Sequence, residues 1–105
     1  MIEFDISIDQ IKDMMMIEGL TAGRIVHFVQ DEGPMVGLHR PAIVIEVFSL
    51  ETGDANLQVF LDGPNDVTNK TAENVAAAPG TRWVGTVPYS EDATKVRTWH
   101  WIERA

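Results

Sequence analysis

Apolar and polar residues alternate with a period of two through most of the chain, the pattern of half-buried β-strands. Residues 23–30 (GRIVHFVQ) form the first such run, closed by the turn residues Asp31, Glu32, Gly33 and Pro34, and the connection continues to His39. Residues 41–48 (PAIVIEVF) are the strongest strand signal. Their apolar side chains nearly fill both faces, which predicts a central position in the sheet, and a proline at the first position takes nothing from the ladder. A turn at residues 51–54 leads into a third strand at 57–61, which Asp62, Gly63, Pro64, Asn65 and Asp66 break sharply. Residues 82–89 (RWVGTVPY) predict a fourth strand, weakened by Gly85 and Pro88. After a turn at 91–95, residues 96–102 (VRTWHWI) predict a fifth. In that last strand Trp99 and Trp101 share one side and His100 takes the other. Either the indole side is the core, or His100 points inward and both indoles are exposed.

Ahead of the first strand, Ile2, Phe4 and Ile6 alternate with Glu3 and Asp5 as a short extended arm. Ser7 is a suitable N-cap with Gln10 as its capping-box partner. Ile8, Ile11, Met14, Met15 and Leu20 then fall near one face of a helix of about three turns that Gly19 stops. The methionines at 14–16 pack on the sheet or serve as a subunit contact, since methionine adapts to irregular surfaces. Residues 67–80 read equally as a short helix or a mobile loop. The expected organisation is an N-terminal arm and helix at 1–22 and a mainly β domain at 23–105. That domain is expected to be a small antiparallel SH3-like barrel of about five strands, with an OB-like barrel or an open meander as alternatives.

A chain of 105 residues that is 45% hydrophobic can bury a core as one domain. With no cysteine, disulfides, thiolate metal sites and thiol catalysis are excluded. Sixteen acidic against eight basic residues give a net charge of −8, which disfavours general nucleic-acid binding. No apolar run approaches the roughly 20 residues of a membrane span, and residues 1–20 do not have the pattern of a signal peptide. The expectation is a soluble intracellular protein.

Candidate chemistry is sparse. His27, His39 and His100 lie on three different segments, and three neutral imidazoles can bind zinc with an open fourth position. No HxH pair or HExxH motif supports that, however, so the favoured reading is three strand residues, each with one hydrogen-bonded tip. No metal and no cofactor are expected. Asp62, Asn65 and Asp66 lack the ligand offsets of a calcium loop and read as an Asx-type turn with polar contacts. Arg40 stands where a loop meets the sheet, a place from which a guanidinium grips an anion, or else pairs with one of the many acids. Tyr89, Trp99 and Trp101 with Arg97 offer stacking faces for a base or a peptide, or else form core. The expected ligand-binding set is His39, Arg40, Tyr89, Arg97, Trp99, His100 and Trp101, with no catalytic constellation.

The segments GRIVHF, HRPAIVIEVFS, NLQVFLDGPND, TVPYSE and TWHWIE resemble a widespread group of small tailed-bacteriophage and prophage proteins across residues 23–103. The matching positions of most interest are His27, His39, Arg40, Pro41, Asp62, Gly63, Asn65, Asp66, Tyr89, Trp99, His100 and Trp101. The N-terminal arm looks less typical of the group and reads as an oligomerisation addition. The resemblance implies a phage source. On that basis the first expectation is a non-enzymatic, homo-oligomeric binding protein in the cytoplasm of the infected host. It would sequester a small anionic, nucleotide-type defence signal. The alternatives are a virion head-tail or decoration component, an inhibitor of a host protein and, last, a small hydrolase.

Overall fold

The computed structural model describes residues 17–66 and 80–103. The helix and arm expected before residue 17 and the ambiguous segment 67–79 lie outside the described residues. What is described is mainly β: β1 (Ile25–Val29), β2 (His39–Val47), β3 (Ala55–Phe60), β4 (Thr81–Val87) and β5 (Trp99–His100), with a 3-10 turn at Gly63–Asp66. The strands form one antiparallel sheet in the order β4-β3-β2-β1-β5. Among the described residues no helix is long and apolar enough to cross a membrane.

The expected closed barrel is not formed by these strands, because β4 and β5 are the two edges of an open sheet. Across the gap, the segment after β4 meets β5 through an isolated parallel bridge between Tyr89 and Trp99, in which Trp99 N–H donates to Pro88 O. Strand β2 lies in the middle, as its apolar content predicts, but it starts at His39, so Pro41 is its third residue rather than its first. The N–H of Val44 donates to Arg24 O on the β1 side. By alternation, position 41 addresses β3, where proline has no N–H to give. The β2–β3 ladder accordingly begins only at the Ala42–Val59 pair.

One face of the sheet is the core. Val26 and Phe28 of β1, Ala42 and Val44 of β2, Leu57 and Val59 of β3, Val84 of β4 and Trp99 of β5 bury together with Leu20. The opposite face is only partly covered, with Ile25, Ile45, Phe60 and Trp83 remaining exposed. The two apolar faces of β2 therefore mark its central place but not burial on both sides.

β5 is only two residues long, shorter than its apolar pattern suggests, because Arg97 just before it takes a positive φ of 56°. Trp99 is what fixes it. The indole is fully buried, its N–H donates to Gly53 O at 2.7 Å, and Tyr89 and Trp101 flank the ring at 4.9 and 5.1 Å. The indole side is thus core and His100 lies on the other face. Gly53 is required beneath it: its φ is +76°, and a Cβ there would come within 2.5 Å of Tyr89 Cβ and 3.2 Å of Trp99 Cζ2.

Two ion-paired joints tie the loops to the sheet. Asp66, whose side chain is fully buried, accepts from Arg40 Nε at 2.7 Å, from Arg40 Nη2 at 2.9 Å and from the Asp62 N–H at 2.6 Å. Asp31 accepts from Arg82 Nη1 at 2.7 Å and from Arg97 Nη1 at 3.2 Å. The Arg40 guanidinium holds the Asp66 carboxyl below the usual carboxylate range against its burial. Burial raises Asp31, but Arg82 and Arg97 outweigh it and leave the group lowered.

These joints lead to two expected outcomes. Trp99→Phe removes the donor to a buried carbonyl and should cost about 1–3 kcal/mol, with a cavity cost added. Urea unfolding checks this, and a loss under about 0.5 kcal/mol would show that the indole is not the anchor of β5. For a carboxyl lowered on folding, the stabilisation is complete above the ordinary pKa of about 3.9 and is lost as pH falls toward the folded-state value. Stability should therefore drop below pH of about 4. Asp66→Asn should be less stable than the parent at neutral pH by about 3 kcal/mol, the low end for a broken buried pair because Arg40 keeps some solvent contact. The variant should also show a shallower acid dependence. Parallel stability–pH curves for the two proteins would contradict the assignment.

Candidate metal centre

His27 lies in β1 between two core residues, Val26 and Phe28, so alternation puts its ring on the opposite, outer face. His100 is its direct partner across the β1–β5 ladder, just as Phe28 is the partner of Trp99. His39 opens β2 opposite Val29, two residues from His27 along the same strand and therefore on the same face. The ring centroids stand 6.0 Å apart for His27–His39, 5.8 Å for His27–His100 and 4.6 Å for His39–His100.

Glu103 completes the group. It follows β5 and turns its carboxylate back over the three rings. Oε2 lies 2.5 Å from His27 Nδ1, Oε1 lies 2.6 Å from His39 Nδ1, and Oε1 also contacts His100 Nε2. One donor atom from each of the four residues falls within 4.8 Å of the others.

The surroundings fix part of this arrangement. Nε2 of His39 is 2.8 Å from Ala93 O. A carbonyl only accepts, so Nε2 carries the hydrogen and Nδ1 is the nitrogen turned to the cluster. A histidine ligand whose far nitrogen donates to a backbone carbonyl is the usual supporting arrangement at metal sites. His100 is 6% exposed, and its Nδ1 is buried with no hydrogen-bond partner among the described residues. Burial raises the Glu103 carboxyl, but its own backbone N–H, His27 and His100 prevail and bring it down to about 2. It is therefore ionised across the physiological range.

Imidazole lone pairs and a carboxylate are all acceptors, so they converge only if protons or a cation lie between them. Three imidazoles and one carboxylate form a borderline donor set that suits zinc and its first-row neighbours, and the chain has no cysteine to shift the preference toward soft ions.

The residues expected to bind a ligand do not form one site. His39 and His100 are in the cluster. Arg40, on the opposite parity of β2, is engaged bidentately by Asp66. Arg97 donates to Asp31 and to Gly85 O. Trp99 is core, with Tyr89 and Trp101 packed against it, and Arg24 lies 5.3 Å over the Trp101 ring. Asn65 donates to Asp62, and Asp66 serves the Arg40 joint. His27 and Glu103 were absent from the expected binding set. The signal for His27 was its polar placement between inward Val26 and Phe28; nothing marked Glu103 among the sixteen acids. Comparisons with protein-family models, curated proteins and solved structures returned no match.

Proposed function

We propose that this chain is a metal-binding protein that holds one divalent ion of the zinc class on His27, His39, His100 and Glu103. One observation carries the reading: four suitable donor atoms from three strands and the following segment lie within 4.8 Å of one another. Chance pairing of surface acids with lysines does not produce such a set. The histidines differ in sequence position by 12 and 61 residues, yet their nitrogens share one carboxylate.

The reading keeps the expectation of a non-enzymatic binding protein and changes its ligand. Direct capture of a nucleotide through Arg40, Arg97 and Trp99 has less support, since both guanidiniums have carboxylate partners and the indole is buried. We also read the curled sheet as an opened relative of an SH3-like barrel. The Tyr89–Trp99 bridge across the seam supports this, and such a barrel would present the histidines on its outer surface.

The test is titration of the purified, chelator-treated chain with Zn²⁺, Co²⁺ and Ni²⁺, followed by calorimetry and thermal melting. One ion per chain is expected. At free metal of about 100 times Kd the fold should gain about 2.7 kcal/mol, or roughly 10 °C or more in melting temperature for a domain of this size. His27→Ala and His100→Ala should both abolish this gain, and because His100 is buried whereas His27 keeps solvent contact, only the His100 variant should also melt clearly lower without metal. No binding of any of the three ions would reject the proposal.

A further inference from the structure

We infer that Glu103 is an exchangeable ligand, which fills the fourth position on the ion held by His27, His39 and His100 and yields it to an external carboxylate. The inference rests on the metal-binding reading above and concerns what that site can take up.

The four donors are not held alike. The histidines come from three strands joined by two ladders of one sheet, and the far nitrogen of His39 is tied to the Ala93 carbonyl. The His100 side chain is 8% exposed, whereas that of Glu103 is 43% exposed. Glu103 also lies beyond β5 in a segment without regular structure. Among the described residues its carboxylate is bonded only to the three imidazoles and its own backbone N–H. Apart from that bond within the residue, nothing among the described residues would hold the carboxylate once its contacts to the imidazoles were exchanged.

Distance separates the donors further. Ligands about 2.0 Å from a tetrahedral ion stand about 3.3 Å from one another. The Glu103 oxygens are at 2.5 and 2.6 Å from His27 and His39. Admitting the ion therefore moves the carboxylate and the rings apart by roughly 0.7 Å. The backbones that carry the rings are held by strand pairing and that of Glu103 is not, so the retreat from these short contacts falls chiefly on the carboxylate. A ligand that must already retreat to admit the ion, and that is anchored only through the site, is the one to exchange.

The outer face offers an approach. Pro41, the cross-strand neighbour of His27, is exposed, and Ile25 two residues from His27 is 55% exposed. Charge selects the incoming group. Three neutral imidazoles leave the ion its full double charge once Glu103 withdraws, and a carboxylate restores the original balance with the same donor atom type. A site closed by four fixed ligands is structural, whereas three ligands and an exchangeable position form a site that recruits.

The experiment uses the full chain loaded with Co²⁺ and acetate as the probe. Paramagnetic broadening of the acetate methyl resonance reports entry into the coordination shell. The wild-type chain should broaden acetate saturably. Glu103→Ala should still bind one Co²⁺, with affinity lowered about 10–100-fold, the range found for supporting partners rather than core ligands. Acetate should restore part of that affinity. The His27→Ala chain should give no broadening. Loss of Co²⁺ binding in Glu103→Ala, or a wild-type chain that holds one Co²⁺ without broadening acetate, overturns the exchange proposal alone. A wild-type chain that takes up no Co²⁺ overturns the metal reading with it.

Discussion

The register of β1 against its two neighbours is the constraint on which the rest depends. β1 pairs with β2 on one side and β5 on the other, and its alternation sends Val26 and Phe28 to the core and His27 to the outer face. The same ladder sets Trp99 against Phe28 and His100 against His27. Core and candidate site are thus the two faces of one pairing. A slip of a single residue would turn His27 inward and Phe28 outward, scattering the cluster and opening the core in one step. The hydrophobic requirement therefore specifies the site geometry indirectly, by forbidding the slipped register.

That pairing needs an anchor, because a two-residue strand has little ladder of its own. Trp99 supplies it. A buried tryptophan removes about 150–250 Å² from water, worth roughly 4–6 kcal/mol as an upper estimate. This exceeds what one or two net hydrogen bonds of about 1 kcal/mol each contribute. The bond from the indole to Gly53 O and the absence of a side chain at Gly53 let the ring seat fully. His100 is placed by the residue before it, and Glu103 by its position three residues farther on. The histidine–glutamate cluster is in this sense a consequence of how one indole packs.

Much of the fold was legible because each strand carries its own period. The residues 41–48 announced the central strand, and Asp62 to Asp66 announced the break after β3. Barrel closure was not legible, since it depends on whether two edges meet, and here they meet through one bridge. The face of each histidine was readable from its inward neighbours, but their convergence was not, because strand order and register are non-local. Arg40 illustrates the same limit. Its position suggested an anion, and the anion it holds is Asp66, one of the turn residues read separately. The apolar runs also concealed that Ile45 and Trp83 stay exposed, since composition records what can be buried and not what is.

Electrostatics bears on how such a chain could still meet an anion. A net charge of −8 raises the cost of bringing a phosphate or carboxylate to the surface, and the arginines best placed to offset it are paired with Asp66 and Asp31. A divalent ion on neutral imidazoles changes the local sign, because a bound cation is the largest charge in its neighbourhood and overrides the surrounding field at contact distance. Screening over about 8 Å at physiological salt limits the reach of the remaining acids. The acidic surface and an anion-binding face are then compatible, with the acids favouring capture of the cation and the cation, once held, favouring the anion. Under the proposed metal reading, an anion would reach this chain through the ion and not through its arginines.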